Sequence, residues 1–162
     1  MDIYSGILLT KCAQFRDEWQ FVDVRLKIGG ETFLAHRNVL VSYSDYFYAM
    51  FADGMKESNQ EVIELKDESL SPHVFKVVMD CIYSGDLQIN EENVFEVLAA
   101  ADYLQVRNVL QQCCDFLLTE IIQSARFDVQ MYCCVWTITD RHSLREVKEA
   151  ADSQDGIHVY RC

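Results

Sequence analysis

Seven cysteines, four histidines and 26 acidic residues are the groups from which a reactive or metal-binding site would be built. A zinc site wants donors aimed at one point, usually through Cys-x-x-Cys or His-x-x-x-His steps. His36, His73, His142 and His158 have no companion at such a spacing. The adjacent pairs Cys113-Cys114 and Cys133-Cys134 would point their side chains about 100° apart on a helix, which suits core packing better than ligation. No glycine-flanked elbow or orienting acid stands near a thiol to activate it. No glycine-rich loop cradles a phosphate. The chain is therefore expected to carry no metal, no cofactor and no catalytic residue, and not to be an enzyme. Cys12, Cys81 and Cys113 fall on apolar helical faces and read as small core hydrophobes, Trp19 and Trp136 as packing residues, and His36 as structural.

Two other groupings could act by binding instead. The stretch FADGMKES, Phe51 to Ser58, puts an apolar residue and an acid two apart, at Met55-Lys56-Glu57, in what reads as a loop. Taken alone, Met55 reads as a gap filler folded back onto the core and Glu57 as a solvated charge. Asp23 breaks the apolar face of a strand, and Arg37 follows the next turn. They read as a structural ion pair. If that pair is buried, losing one partner costs ~3 to 5 kcal/mol.

The elements that position these residues follow from periodicity. Leu8, Cys12, Phe15 and Trp19 recur at helical spacing and predict an N-terminal helix with one apolar face. No strand has yet appeared to cover that face, so it needs a partner surface. Val22 to Ile28 alternates strictly, as a half-buried strand does. Gly29-Gly30 supplies the turn of a two-residue hairpin, and Thr32 to Ala35 returns. Short helices are predicted around Val39 to Tyr43 and Tyr46 to Phe51, then a short strand at Val62 to Leu65. Ser71-Pro72 starts a helix that Gly85 ends. Asn90-Glu91-Glu92 is read as the start of the next, with Val94, Val97, Leu98 and Ala101 on its face. Val106 to Leu117 gives another, almost without a loop between. Beyond Phe127, helical patterns are read around Met131 to Ile138 and Leu144 to Ala151, and the last residues lose all period. The fold class is α+β, a small sheet with most of the chain in helices.

Composition bounds the partners. Half of the 162 residues are apolar and 25% are charged, enough for a real core. The net charge of −12 would repel nucleic-acid phosphates and an anionic membrane surface, so neither is expected as a partner. No stretch approaches the apolar length that spans a bilayer, and the first residues do not resemble a signal peptide. An odd number of cysteines, with adjacent pairs, fits a reducing compartment, so the cytoplasm or nucleus is expected.

Asp23-Val24, Phe33 to Arg37, Val39-Leu40, Ser44 to Phe51, Met55 to Ser58, Ile82 to Gly85 and Ala99 to Gln105 together resemble a BTB (POZ) domain, over residues 4–121. The Gly-Met-Lys-Glu-Ser loop, the Tyr-Ser-Gly and the Ala-Ala-Asp-Tyr-Leu-Gln run are similar to the Kelch-like (BTB-BACK-Kelch) subfamily. BTB zinc-finger repressors share much of this core. Residues 122–152 resemble the opening of a BACK domain, most clearly from Trp136 to Lys148, and 153–162 form an irregular tail. No Kelch repeats follow, so a shortened relative is expected, one that could compete with a longer form.

The resemblance implies two activities. The first is dimerisation, with itself or with related BTB proteins, through Leu8, Cys12, Phe15 and Trp19. The second is docking to cullin-3, as a truncated substrate adaptor of a cullin-RING ubiquitin ligase. There Met55-Lys56-Glu57 would be the docking motif, Met55 entering an apolar pocket and Glu57 pairing with polar groups. Tyr48, Tyr103, Leu104 and Gln105 would extend the contact. It also implies that Asp23 and Arg37 line a charged pocket near the dimer interface. The alternative is a dimerisation or scaffold module with no cullin role, such as a co-repressor binder.

Overall fold

Burial alternates along Val24-Arg25-Leu26-Lys27-Ile28, with Val24, Leu26 and Ile28 inside and the two basic residues out. That alternation makes the central strand of the computed structural model, which describes residues 3–52, 55–123, 135–138 and 140–141. The elements run α1 (Ile3–Asp17), β1 (Val24–Ile28), β2 (Glu31–Ala35), α2 (Arg37–Tyr43), α3 (Asp45–Phe51), a 3-10 turn (Lys56–Asn59), β3 (Val62–Glu64), α4 (Pro72–Ser84), α5 (Val94–Tyr103) and α6 (Arg107–Gln123). The sheet order is β2-β1-β3. β1 pairs antiparallel with β2, Val24 opposite Ala35 and Ile28 opposite Glu31. It pairs parallel with β3, Leu26 beside Ile63, and α2 and α3 form the crossover.

Gly29 and Gly30 take φ of 55° and 90°, the pair of positive angles that a tight two-residue hairpin demands. A Cβ on Gly29 would also lie 2.9 Å from the Pro72 ring, so the hairpin tip seats against the start of α4. α4 is built as its sequence foretells. The Ser71 hydroxyl accepts from the Val74 amide, Pro72 sits in the first turn, and Gly85 closes the helix at φ 82°. Its inner face, including Phe75, Val78, Met79 and Ile82, joins Leu26, Ile28, Leu40 and Phe47 in the core. α5 and α6 then pack as a hairpin of helices behind it.

Three readings change. Asn90-Glu91-Glu92 does not begin α5. The Asn90 carboxamide accepts from the Glu92 and Asn93 amides, and Asn93 Oδ1 accepts from the Asn90 amide. These bonds hold a turn ahead of a helix that starts at Val94. Trp19 lies past the end of α1, at φ 60°. β1 starts at Val24, although the Asp23 amide still bonds the Ala35 carbonyl at 3.2 Å.

Of the expected BACK-like segment and tail, residues 124–134, 139 and 142–162 lie outside the described residues, and with them Met131, Cys133, Cys134 and Leu144 to Ala151. In the described part Val135 is buried in the core, Ile138 packs against it, and Arg141 pairs with Asp102 on α5. No described helix is long and apolar enough to cross a membrane.

Candidate protein-interaction surfaces

Two surfaces carry the residues that the sequence singles out. The first lies at the N-terminus. Leu9, Cys12 and Ala13 turn inward and pack on the core, while Ile7 and Leu8 face outward, Leu8 at 66% exposure. So Leu8, Cys12, Phe15 and Trp19 do not share one outward face. Cys12 belongs to the inner side, and Trp19 leaves the helix. Trp19 is 70% exposed and Phe21 76%, and Phe15 meets Phe21 edge to face at 5.1 Å. Trp19 and Phe21 both hold positive φ, at 60° and 58°, conformations that bulky residues adopt at a cost. The outward apolar set is therefore Ile7, Leu8, Trp19 and Phe21. Phe21 was not singled out from sequence, because it lies outside any periodic run.

A buried polar network anchors this surface. His36 sits between two segments. Its amide donates to the Tyr83 hydroxyl at 2.9 Å, Nδ1 lies 3.0 Å from the same oxygen, and Nε2 lies 3.2 Å from the Gln20 carbonyl. A carbonyl only accepts, so Nε2 carries the proton and Nδ1 accepts from Tyr83. Burial pushes the Tyr83 phenol up to about 12, against the His36 hydrogen bond and the Arg16 charge 4.5 Å from its ring. Arg16 also reaches Asp80 at 3.3 Å.

The second surface lies around Met55. The Met55 amide donates to the Ala52 carbonyl just past the end of α3, and Tyr48 stands exposed in the middle of that helix. Met55 is 49% exposed, Lys56 is exposed and Glu57 half-buried. Across from them the Tyr103 hydroxyl meets that of Tyr46 at 3.0 Å, their rings 5.0 Å apart. Burial raises the Tyr46 phenol well above its ordinary value. The Tyr103 hydrogen bond adds to this, as do the nearby Tyr103, Asp67 and Glu57 charges. Gln105 is exposed at φ 52°.

Leu104 departs from expectation. It is fully buried, so it packs beneath the surface and presents nothing to a partner. Its carbonyl accepts from the Ser44 hydroxyl at 2.6 Å, and Ser44 in turn accepts from the Phe47 amide as the cap of α3. One small side chain thus fastens the helix before the Met55 loop to the turn that carries Tyr103 and Gln105. Ser44 and Tyr46 are the residues that sequence reasoning missed. A serine just ahead of a helical run was the available signal for the first.

Asp23 and Arg37 do meet, but the bond seen runs from the Arg37 amide to Asp23 Oδ1, at 2.8 Å, with Asp23 exposed. The carboxylate fixes the start of α2. The guanidinium turns the other way, toward the carbonyls of Glu57 and Gln60. The cost expected for breaking a buried ion pair therefore falls to that of a lost helix cap, ~1 kcal/mol.

The thiols face inward. Cys81, Cys113 and Cys114 are free and buried. Burial raises Cys81 to about 11 and Cys113 and Cys114 to about 12, so at neutral pH they are protonated and weakly nucleophilic. Among the described residues no three His, Cys, Asp or Glu side chains gather as a metal site would need.

The model of the BTB/POZ domain family matches residues 12–121. The chain is similar to Kelch-like protein 26 of Danio rerio, 33% identical over 162 residues, covering 96% of this chain and 26% of that protein. It is 40% identical to Kelch-like protein 22 of Xenopus tropicalis over 116 residues, covering 72% of this chain and 18% of that protein. It thus spans about a quarter or less of the length of these curated relatives. Among solved structures, the BTB domain of zebrafish PATZ1 matches with a TM-score of 0.62 at 30% identity, over 70% of this chain and 91% of that one.

Proposed function

The chain belongs to the BTB/POZ family of protein-interaction modules, and from that premise we propose that it pairs with a second BTB chain and docks to cullin-3. The pairing partner is another copy or a related BTB protein, held through Ile7, Leu8, Trp19 and Phe21. The docking role is that of an adaptor in a cullin-RING ubiquitin ligase. The observation that carries it is Met55. An unbranched apolar side chain stands half exposed at the start of the short turn that carries Glu57. Tyr48, Tyr103 and Gln105 would extend the contact. Such a side chain suits an irregular apolar pocket. Three buried free thiols suit a reducing cytoplasmic or nuclear setting.

Calorimetry against the cullin-3 amino-terminal domain tests this, with light scattering alongside. Truncating one buried anchor costs ~2 kcal/mol or more, about thirtyfold in affinity. The Met55→Ala/Glu57→Ala pair should therefore abolish submicromolar binding while the mass stays dimeric. A folded dimer that does not bind would sink the docking role.

One feature favours a second reading. β2 is an edge strand, and beside it lies a depression of about 360 Å³ lined by Trp19, Phe33, Leu34 and Met79, with Arg16 and Asp80 at its rim. A dimerisation or scaffold module would take another protein there and be indifferent to Glu57.

A further inference from the structure

The Arg37 side chain has a task that neither surface, taken alone, explains. Its guanidinium donates to the Glu57 carbonyl at 3.2 Å and to the Gln60 carbonyl, and its centre lies 4.6 Å from the Phe51 ring centroid. Those three partners bracket the docking element. Phe51 ends α3, Glu57 is in the 3-10 turn, and Gln60 is the residue just after it. Within this stretch the Gln60 amide also donates to the Glu57 carbonyl, and the Met55 amide to the Ala52 carbonyl at 3.3 Å. Arg37 is itself well placed to clamp. It is the first residue of α2, with its amide held by Asp23 at 2.8 Å, and β1 and β2 fix that corner. A planar fork can hold two carbonyls and cover a ring at once, which a lysine ammonium cannot.

Resting on the docking reading above, we propose that Arg37 is a positioning residue for Met55-Lys56-Glu57. It latches both stems of the turn to the start of α2 and so sets how Met55 and Glu57 are presented. Asp23 serves the same end one step removed, by fixing where Arg37 begins its helix.

Trypsin provides a test that needs no partner, because Lys56 lies inside the latched turn and is exposed. Native-state cleavage after Lys56 is followed by mass spectrometry in the full chain, for the wild type, Arg37→Ala and Arg37→Lys. Charge-assisted bonds are the strong ones, so their loss should open the turn and speed the Lys56 cut by about tenfold or more. The Lys variant should fall between. The thermal midpoint and dimeric mass should stay at wild-type values. If Arg37→Ala lowers the midpoint, the Lys variant carries the comparison. Equal Lys56 cleavage in all three would overturn the latch.

A double-mutant cycle then separates positioning from general support. Met55→Ala should weaken cullin-3 binding about thirtyfold in the wild type but only about fivefold or less beside Arg37→Ala, because an anchor already misplaced has less to lose. Equal penalties in both backgrounds would overturn the positioning role. Failure of the wild type to bind would instead overturn the docking reading on which the role rests, and the Lys56 rates would still report whether the latch exists.

Discussion

The N-terminal surface and the Met55 surface solve different problems. The first is area. Ile7, Leu8, Trp19 and Phe21 offer apolar side chains with little directional chemistry, the first two on a helix whose other side is already in the core and the last two just past its end. The second is placement. One methionine and one acid sit at a short turn bonded by the distant Arg37 through Glu57 and Gln60, while Ser44 to Leu104 and Tyr46 to Tyr103 fasten the preceding helix α3 to the end of α5. Apolar burial tolerates small shifts because it scales with area removed from water. An anchor in a pocket does not, because its contribution depends on fit. The first surface should therefore fail only when its polarity is changed, and the second when its supports are loosened at a distance.

The sharpest break in that contrast is a charge on the apolar surface. Each copy carries a net charge of −12, so the proposed pairing has to work against repulsion, with apolar burial to outweigh it. Leu8→Asp removes an apolar group and adds to that repulsion. It should weaken pairing by ~3 kcal/mol or more, over a hundredfold, and light scattering at micromolar concentration should then report a monomer. Added salt should recover part of the loss through screening. A mass that stays dimeric would mean that α1 is not the seam. In that monomer the Lys56 cut should keep its wild-type rate, since nothing in the Met55 turn rests on Leu8.

Leu104 comes next in size. Leu104→Ala leaves a cavity beneath the docking surface and should cost ~2 to 5 kcal/mol of stability, read as a lowered denaturation midpoint. Gln105→Ala, one residue on and exposed, should leave the midpoint within about 0.5 kcal/mol while lowering cullin affinity. If Leu104→Ala instead changed affinity and left stability alone, its side chain would have to reach the partner, contrary to its burial.

What was legible in the sequence follows the range of each interaction. The hairpin, the Ser71-Pro72 start and the Gly85 stop are local signals, written within a few residues, and the structure keeps all three. The split of α1 was not legible. Its apolar residues are numerous enough to supply both an inner and an outer side, and periodicity alone could not say that Cys12 goes in while Leu8 stays out. Asp23 and Arg37 were legible as a pair but not in their bonding. An arginine that donates to backbone carbonyls 20 and 23 residues away leaves no trace in side-chain chemistry at the receiving end. Leu104 misled for a related reason. Gln105 is exposed and Tyr103 half-buried, while Leu104 between them is wholly buried, and nothing in the local run of residues separates the three.

The smallest effect near neutral pH is also the one that joins the two surfaces. Cys81 on α4 and Cys113 and Cys114 on α6 lie in the core, Cys81 accepting from the Gln112 amide group at 3.6 Å. α4 packs under α1, and α6 packs against α5, which ends at Tyr103. Unfolded thiols ionise near 9.0 and the phenol near 10.0, whereas burial raises Cys81 to about 11 and Cys113, Cys114 and Tyr83 to about 12. The folded chain thus keeps protons that the unfolded chain gives up. Their stabilising contribution is whole below about pH 9 and is lost as pH rises toward 11 to 12. The thermal midpoint should accordingly be insensitive to these groups from about pH 6 to 8 and fall steadily above about pH 9. Since the thiols lie in the one core beneath both surfaces, dimeric mass and Lys56 protection should disappear together on the alkaline side. If Lys56 becomes cleavable well before the dimer dissociates, the Met55 turn opens as a unit of its own, held by Arg37 and not by the core beneath it.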